Sequence, residues 1–185
     1  MVLALPFLIG VLVALPLGGR LRALGDLRLH WVWLVYIALA FQIAAFPGRS
    51  FPWSTPDGAA VGLWIASDVI LVGVVVRNVR LPGVVLVAAG LICNLTAILA
   101  NGGHMPALPS ALADAGLHYH ISMNSESIAH PTLALLVDRW AVPTWIPFGN
   151  VFSVGDVIIA VGGFILALAV TGARLPGLRP RPVST

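Results

Sequence analysis

The chain has 185 residues, of which 59% are hydrophobic and 9% charged, against roughly 25% charged in an ordinary soluble domain. So few charges cannot cover the exterior of a water-soluble fold, and a mean hydropathy of +0.98 points to lipid as the solvent. The net charge of +3 comes with ten basic residues, all of them arginine; most flank apolar segments, which marks them as topology determinants and contacts for anionic lipid and argues against a nucleic-acid partner.

The length suits one domain. The first apolar run covers about 2–17. No basic stretch precedes it and no small-residue cleavage site follows, so it reads as a retained helix at the short limit for spanning a bilayer. The second run covers about 29–46 and the third about 56–76. Ahead of the third, Thr55 suits an N-cap, Pro56 the first helical position and Asp57 the positive end of the dipole. The fourth, about 81–100, stops at Asn101-Gly102-Gly103, and the fifth, about 154–171, is followed by a tail over 172–185.

Arginine sets the orientation. Arg20, Arg22 and Arg28 follow the first span, Arg77 and Arg80 the third, and Arg174, Arg179 and Arg181 the fifth, while the opposite side holds only Arg49 and Arg139. This positive-inside alternation places the N-terminus outside and the C-terminus in the cytoplasm. Trp31 and Trp33 then fall at the inner interface, and Trp53, Trp140, Trp145 and Phe148 at the outer one. The expected fold is an all-α integral membrane bundle of about five transmembrane helices, in the cytoplasmic membrane, with a partly helical outer cap over 101–152.

Within that cap Ser110 is placed to cap a turn or two ending at Gly116. His130-Pro131 can open a helix whose Leu133, Leu136, Val137 and Trp140 share one face. That face would lie on the bilayer or over the mouth of the bundle.

Asp68 is the most conspicuous polar residue. It lies twelve residues beyond Pro56, about 18 Å along the helix, where an aspartate costs about 2.5–3.5 kcal/mol on insertion scales. No arginine or lysine lies in any expected span to neutralise it, and His30 sits at the inner end of the second. Gln42, Cys93, Asn94 and Thr96 are its candidate neighbours, and a neutral acid bonded to Asn94 is the structural reading beside the functional one. Ser153 and Asp156 have capping-box spacing, which accounts for both without a ligand, although a helix N-terminus there could also hold an anionic headgroup. Asn94 and Asn101, seven apart, fall on one helical face, and Asn101 also reads as a helix stop.

His104, His118, His120 and His130 occupy the cap with Met105, Met123, Asp114 and Glu126. Histidine with methionine suits copper or haem, with His118, His120 and Met123 the weak candidates. No spacing fixes a ligand set, and the single Cys93 permits no intrachain disulfide. No motif implies a particular cofactor.

Gly18-Gly19-Arg20-Leu21, Asn94 ahead of Asn101-Gly102-Gly103 with Met105-Pro106, and Ser153-x-Gly155-Asp156 together resemble an uncharacterised bacterial membrane family, domain of unknown function 5317. The likeness covers nearly the whole chain. It implies a multi-pass membrane protein and carries over no catalytic residue.

Two functions are consistent with these residues. One is an outward-facing polar vestibule of Gln42, Asn94, Asn101, His104 and Asp156 leading to Asp68, which binds or moves a small ligand, ion or proton. The other is an accessory or assembly subunit of a larger membrane complex, meeting other subunits or a second copy through Asp68 or the segment 133–140. An enzyme acting on lipid ranks third, since no catalytic constellation can be assembled.

Overall fold

The computed structural model describes residues 4–46, 53–117, 121–122, 125–145 and 150–173. Arg49, His118, His120, Met123, Phe148, Arg174, Arg179 and Arg181 lie outside the described residues.

The chain is predominantly helical. Its five long apolar helices occupy the five expected segments: α1 (Ala4–Ala14), α3 (Val32–Ala45), α4 (Asp57–Arg77), α5 (Val84–Ala100) and α7 (Val154–Val170). Single-turn α2 (Arg22–Gly25) lies between α1 and α3, and α6 (Pro109–Asp114) lies in the cap. Among the described residues one helix, α4, is long and apolar enough to cross a membrane by itself.

The long helices stand in a row, with α3 against α4, α4 against α5, α5 against α7 and α7 against α1. The α5–α7 junction is built on glycine. A Cβ on Gly90 would lie 2.5 Å from the Gly155 carbonyl oxygen, and one on Gly162 would lie 2.7 Å from that of Gly83. The two pairs are seven residues apart on each helix, so the backbones meet closely at both levels of an antiparallel crossing.

Two asparagines fix the helix ends in the same way. Asn78, at the C-terminus of α4, accepts from the His30 amide and donates to the His30 carbonyl, both at 2.9 Å, and also donates to Val74 O at 2.7 Å. Asn101, at the C-terminus of α5, accepts from the Thr132 amide at 2.8 Å and donates to its carbonyl at 2.9 Å, while donating to Ala97 O at 2.8 Å. Each amide side chain thus ends a helix and grips a distant backbone as a strand would.

Three local expectations are corrected. Thr55 does not cap α4, because its hydroxyl donates to Ala44 O at the end of α3. Ser110 lies inside α6, whose N-cap is Leu108 and whose first residue is Pro109. The segment after His130-Pro131 is a chain of turns and not a helix. Asn101 holds both backbone groups of Thr132, Leu133 takes a left-handed φ of 56°, and the Asp138 amide donates to Pro106 O at 2.9 Å. The backbone groups a helix needs are therefore bound elsewhere. The expected apolar face divides accordingly: Val137 is fully buried, Leu136 packs on the α5 end, and Leu133 and Trp140 stay exposed.

The cap is ordered around two small sheets that periodicity could not reveal. Strand β1 (Met105–Ala107) pairs in parallel with β3 (Ser125–Ser127), and β2 (Ile121–Ser122) pairs antiparallel with β3. Strand β4 (Trp140–Ala141) pairs antiparallel with β5 (Val151–Phe152), which leads directly into α7. Ala107, Ala111, Leu112, Ala115 and Val151 form the core of the cap. Ala97, Ile98 and Met105, with Trp64 and Leu136, seat it on α4 and α5.

Candidate functional site

The most connected polar cluster lies where α7 begins beneath the cap. Ser153 and Asp156 form the expected capping box: Ser153 Oγ accepts from the Asp156 amide at 3.1 Å, and the Ser153 amide donates to Asp156 Oδ2 at 3.0 Å. Asn94 of α5 completes the group. Its Nδ2 donates to Asp156 Oδ1 and its Oδ1 accepts from Ser153 Oγ, both at 2.9 Å. The close α5–α7 approach makes this possible, since a Cβ at Gly155 would collide with Asn94 Oδ1. Ser153 is fully buried.

Asp138, which sequence reasoning passed over, adds a second carboxyl. Its backbone is fixed by a bridge to Ala107, with the Leu108 amide donating to its carbonyl at 2.9 Å. The Arg139 amide donates to Phe152 O at 3.1 Å, which sets residue 138 alongside the start of α7. The Asp138 residue is only 6% exposed, and among the described residues its carboxyl has no hydrogen bond or ion pair. Burial, and after it the neighbouring charge of Asp156, raises its pKa to about 8. Arg139 offers no relief, because its guanidinium lies over the Trp140 ring, 5.4 Å from the centroid.

The remaining vestibule residues do not join this cluster. Gln42 Nε2 donates to Ser67 Oγ at 3.3 Å, linking α3 to α4, and Ser67 Oγ donates to Trp64 O at 2.7 Å. Asp68 is half-buried and has no hydrogen bond or ion pair among the described residues. The expected Asp68–Asn94 bond is absent because both ends of the Asn94 amide face α7. Thr96 turns back to Ile92 O at 2.7 Å, and Cys93 is a free, partly buried thiol. Asn101 serves as the clamp on Thr132, and His104 is half-buried without a hydrogen bond among the described residues.

The histidine–methionine proposal for a metal falls mainly on His118, His120 and Met123, outside the described residues. Among the described residues no three His, Cys, Asp or Glu side chains gather as a metal site. Met105 lies in the core under the cap. The Asn94–Ser153–Asp156–Asp138 cluster offers acid and amide chemistry: it can accept a proton or compensate a small cation.

Asp138 was hard to find from sequence because it precedes Arg139 in a stretch with helical spacing, where no local signal marks its burial. The useful signal was its place between Val137 and the strand-like Trp140-Ala141, which only the fold makes legible. No curated protein and no solved structure matches this chain. Residues 26–168 do match a family model, and the chain belongs to that family of unknown function, DUF5317.

Proposed function

We propose that the chain is a multi-pass protein of the cytoplasmic membrane, with its arginine-bearing end in the cytoplasm, and that it binds or moves a small ligand, ion or proton at the capped outer end. Support for the membrane reading comes from the side chains the helices leave uncovered. Leu8, Leu12, Tyr36, Leu39, Val69, Val85, Ile92 and Val161 are all exposed along the row, an apolar surface that water would penalise and lipid would not. At 21 residues α4 is about 31 Å long, the thickness of a bilayer core, while α5 and α7, with 17 residues each, come to about 25 Å. Exposed Trp31 and Trp33 at one end, with Trp140 and Trp145 at the other, suit two interfaces.

The observation that carries the functional reading is Asp138, 6% exposed, without a hydrogen bond or ion pair among the described residues and under the charge of Asp156. Such a carboxyl favours protons and cations over anions and neutral solutes. Asp68 remains a second acid on the path, since Trp64 packs against Ala97 and Ile98 and both Asp68 and Asn94 lie about one turn below that contact. Reconstitution in vesicles with an internal pH dye tests the reading. An imposed potential should drive proton movement through the wild-type chain, and Asp138→Asn or Asp68→Asn should reduce it. Equal leak with wild type and both variants would reject transport.

An accessory-subunit role is favoured by one feature, the open row, in which α1 and α3 each have a single extensive helix neighbour. Purification in gentle detergent discriminates, because a lone monomer counts against that role.

A further inference from the structure

We infer that Asp138 is a single-proton site, carrying an exchangeable proton where the cap meets the start of α7 and Asp156. This deepens the proposed function by naming the ligand, and it rests on that site without depending on membrane orientation.

The two acids lie in contrasting surroundings. Asp156 receives donors at both oxygens, Asn94 Nδ2 at one and the Ser153 amide at the other, besides lying in the first turn of α7. Asp138 has none of them. It is nine-tenths buried, no side chain or backbone group among the described residues donates to it, and the charge acting on it is that of Asp156. Removing the proton from Asp138 would leave a buried carboxylate without a donor, with the charge of Asp156 acting on it, so Asp138 retains the proton.

A resident metal is the weaker alternative for this pair. Ser153 Oγ already accepts from the Asp156 amide and donates to Asn94, and the Asn94 amide is engaged at both ends. Among the described residues no third ligating acid, histidine or cysteine joins the two acids. The groups around Asp138 come from three places: Ala107 and Leu108 of the cap present backbone, Arg139 turns to Trp140, and the start of α7 presents Asp156. No basic side chain among them offsets its charge.

Infrared spectroscopy of the full-length protein in lipid nanodiscs, titrated from pH 5 to 9, tests the site through the carbonyl stretch of a protonated carboxyl. At pH 6.5 the wild type should show such a band, and it should fade with a midpoint near pH 8. Asp138→Asn should abolish it. Asp156→Asn should retain it and move the midpoint downward, which keeps the test open if the first variant folds poorly. A band absent at pH 6.5, or one removed by Asp68→Asn and untouched by Asp138→Asn, would overturn the inference. A band behaving as expected in a chain that moves no protons in vesicles would keep the site and reject only transport.

Discussion

Replacing Asp138 by Asn should remove a pH dependence from the docking of the cap. In the folded chain Asp138 keeps its proton up to about pH 8, whereas an ordinary aspartate releases it near 3.8. Between these values the folded state binds one proton more than the opened state, so stability falls as pH rises. The fall is about 1.4 kcal/mol per pH unit, or up to about 4 kcal/mol between pH 5 and pH 8, and it ends above the folded pKa. The loss is a desolvation effect and so needs a charge, which asparagine lacks. Amide hydrogen exchange at Leu108 and Asp138, whose backbones pair across the bridge to β1, provides the assay. Comparing variant with wild type at each pH cancels the intrinsic exchange rate. The variant's relative protection should rise by up to about tenfold per pH unit from 5 to 8 and then level off. Parallel pH profiles for the two proteins would refute the reasoning, since they would mean that Asp138 titrates alike in the folded and opened states.

Asn94→Ala should destabilise the protein by about 1–3 kcal/mol by leaving the buried Ser153 hydroxyl and Asp156 Oδ1 short of a partner; thermal unfolding in detergent measures this. Gly90→Ala forces a methyl against the Gly155 carbonyl and should cost about 1–3 kcal/mol or more, whereas Gly73→Ala, with open space around it, should be neutral or better in the same assay. Asn101→Asp retains the acceptor for the Thr132 amide and loses the donor to its carbonyl, so limited proteolysis should cut the turns after Thr132 sooner than in wild type. Asn78→Ala should release the His30 backbone and speed exchange of the His30 amide while leaving the cap unaffected.

The five apolar segments were legible because helix period and length need no knowledge of neighbours. The Ser153–Asp156 box was legible for the same reason, since its partners are three residues apart. Features joining distant parts of the chain were not. Nothing in sequence links Asn94 to a hydroxyl and an acid some sixty positions away, or shows that Asn101 grips Thr132. The turns after His130 show the cost of reading locally: Leu133, Leu136, Val137 and Trp140 have helical spacing, yet Thr132 answers to Asn101, Asp138 to Pro106 and Leu108, and Trp140 to Phe152. Asp138 escaped notice for the same reason, because the groups that hold it, Ala107 and Leu108, lie some thirty positions earlier in the chain.

The paired asparagine grips also imply an order of assembly. Asn78 closes on His30, 48 positions earlier, whereas Asn101 closes on Thr132, 31 positions later. During synthesis the first grip can therefore form as soon as α4 is complete, and the second must wait for chain not yet made. The α4–α5 hairpin thus acts as a jig: it secures the segment already made and keeps an amide open for the cap. A chain interrupted soon after Asn101 would retain the first closure and lose the second, and with it the tie that draws the stretch bearing Asp138 toward the bundle.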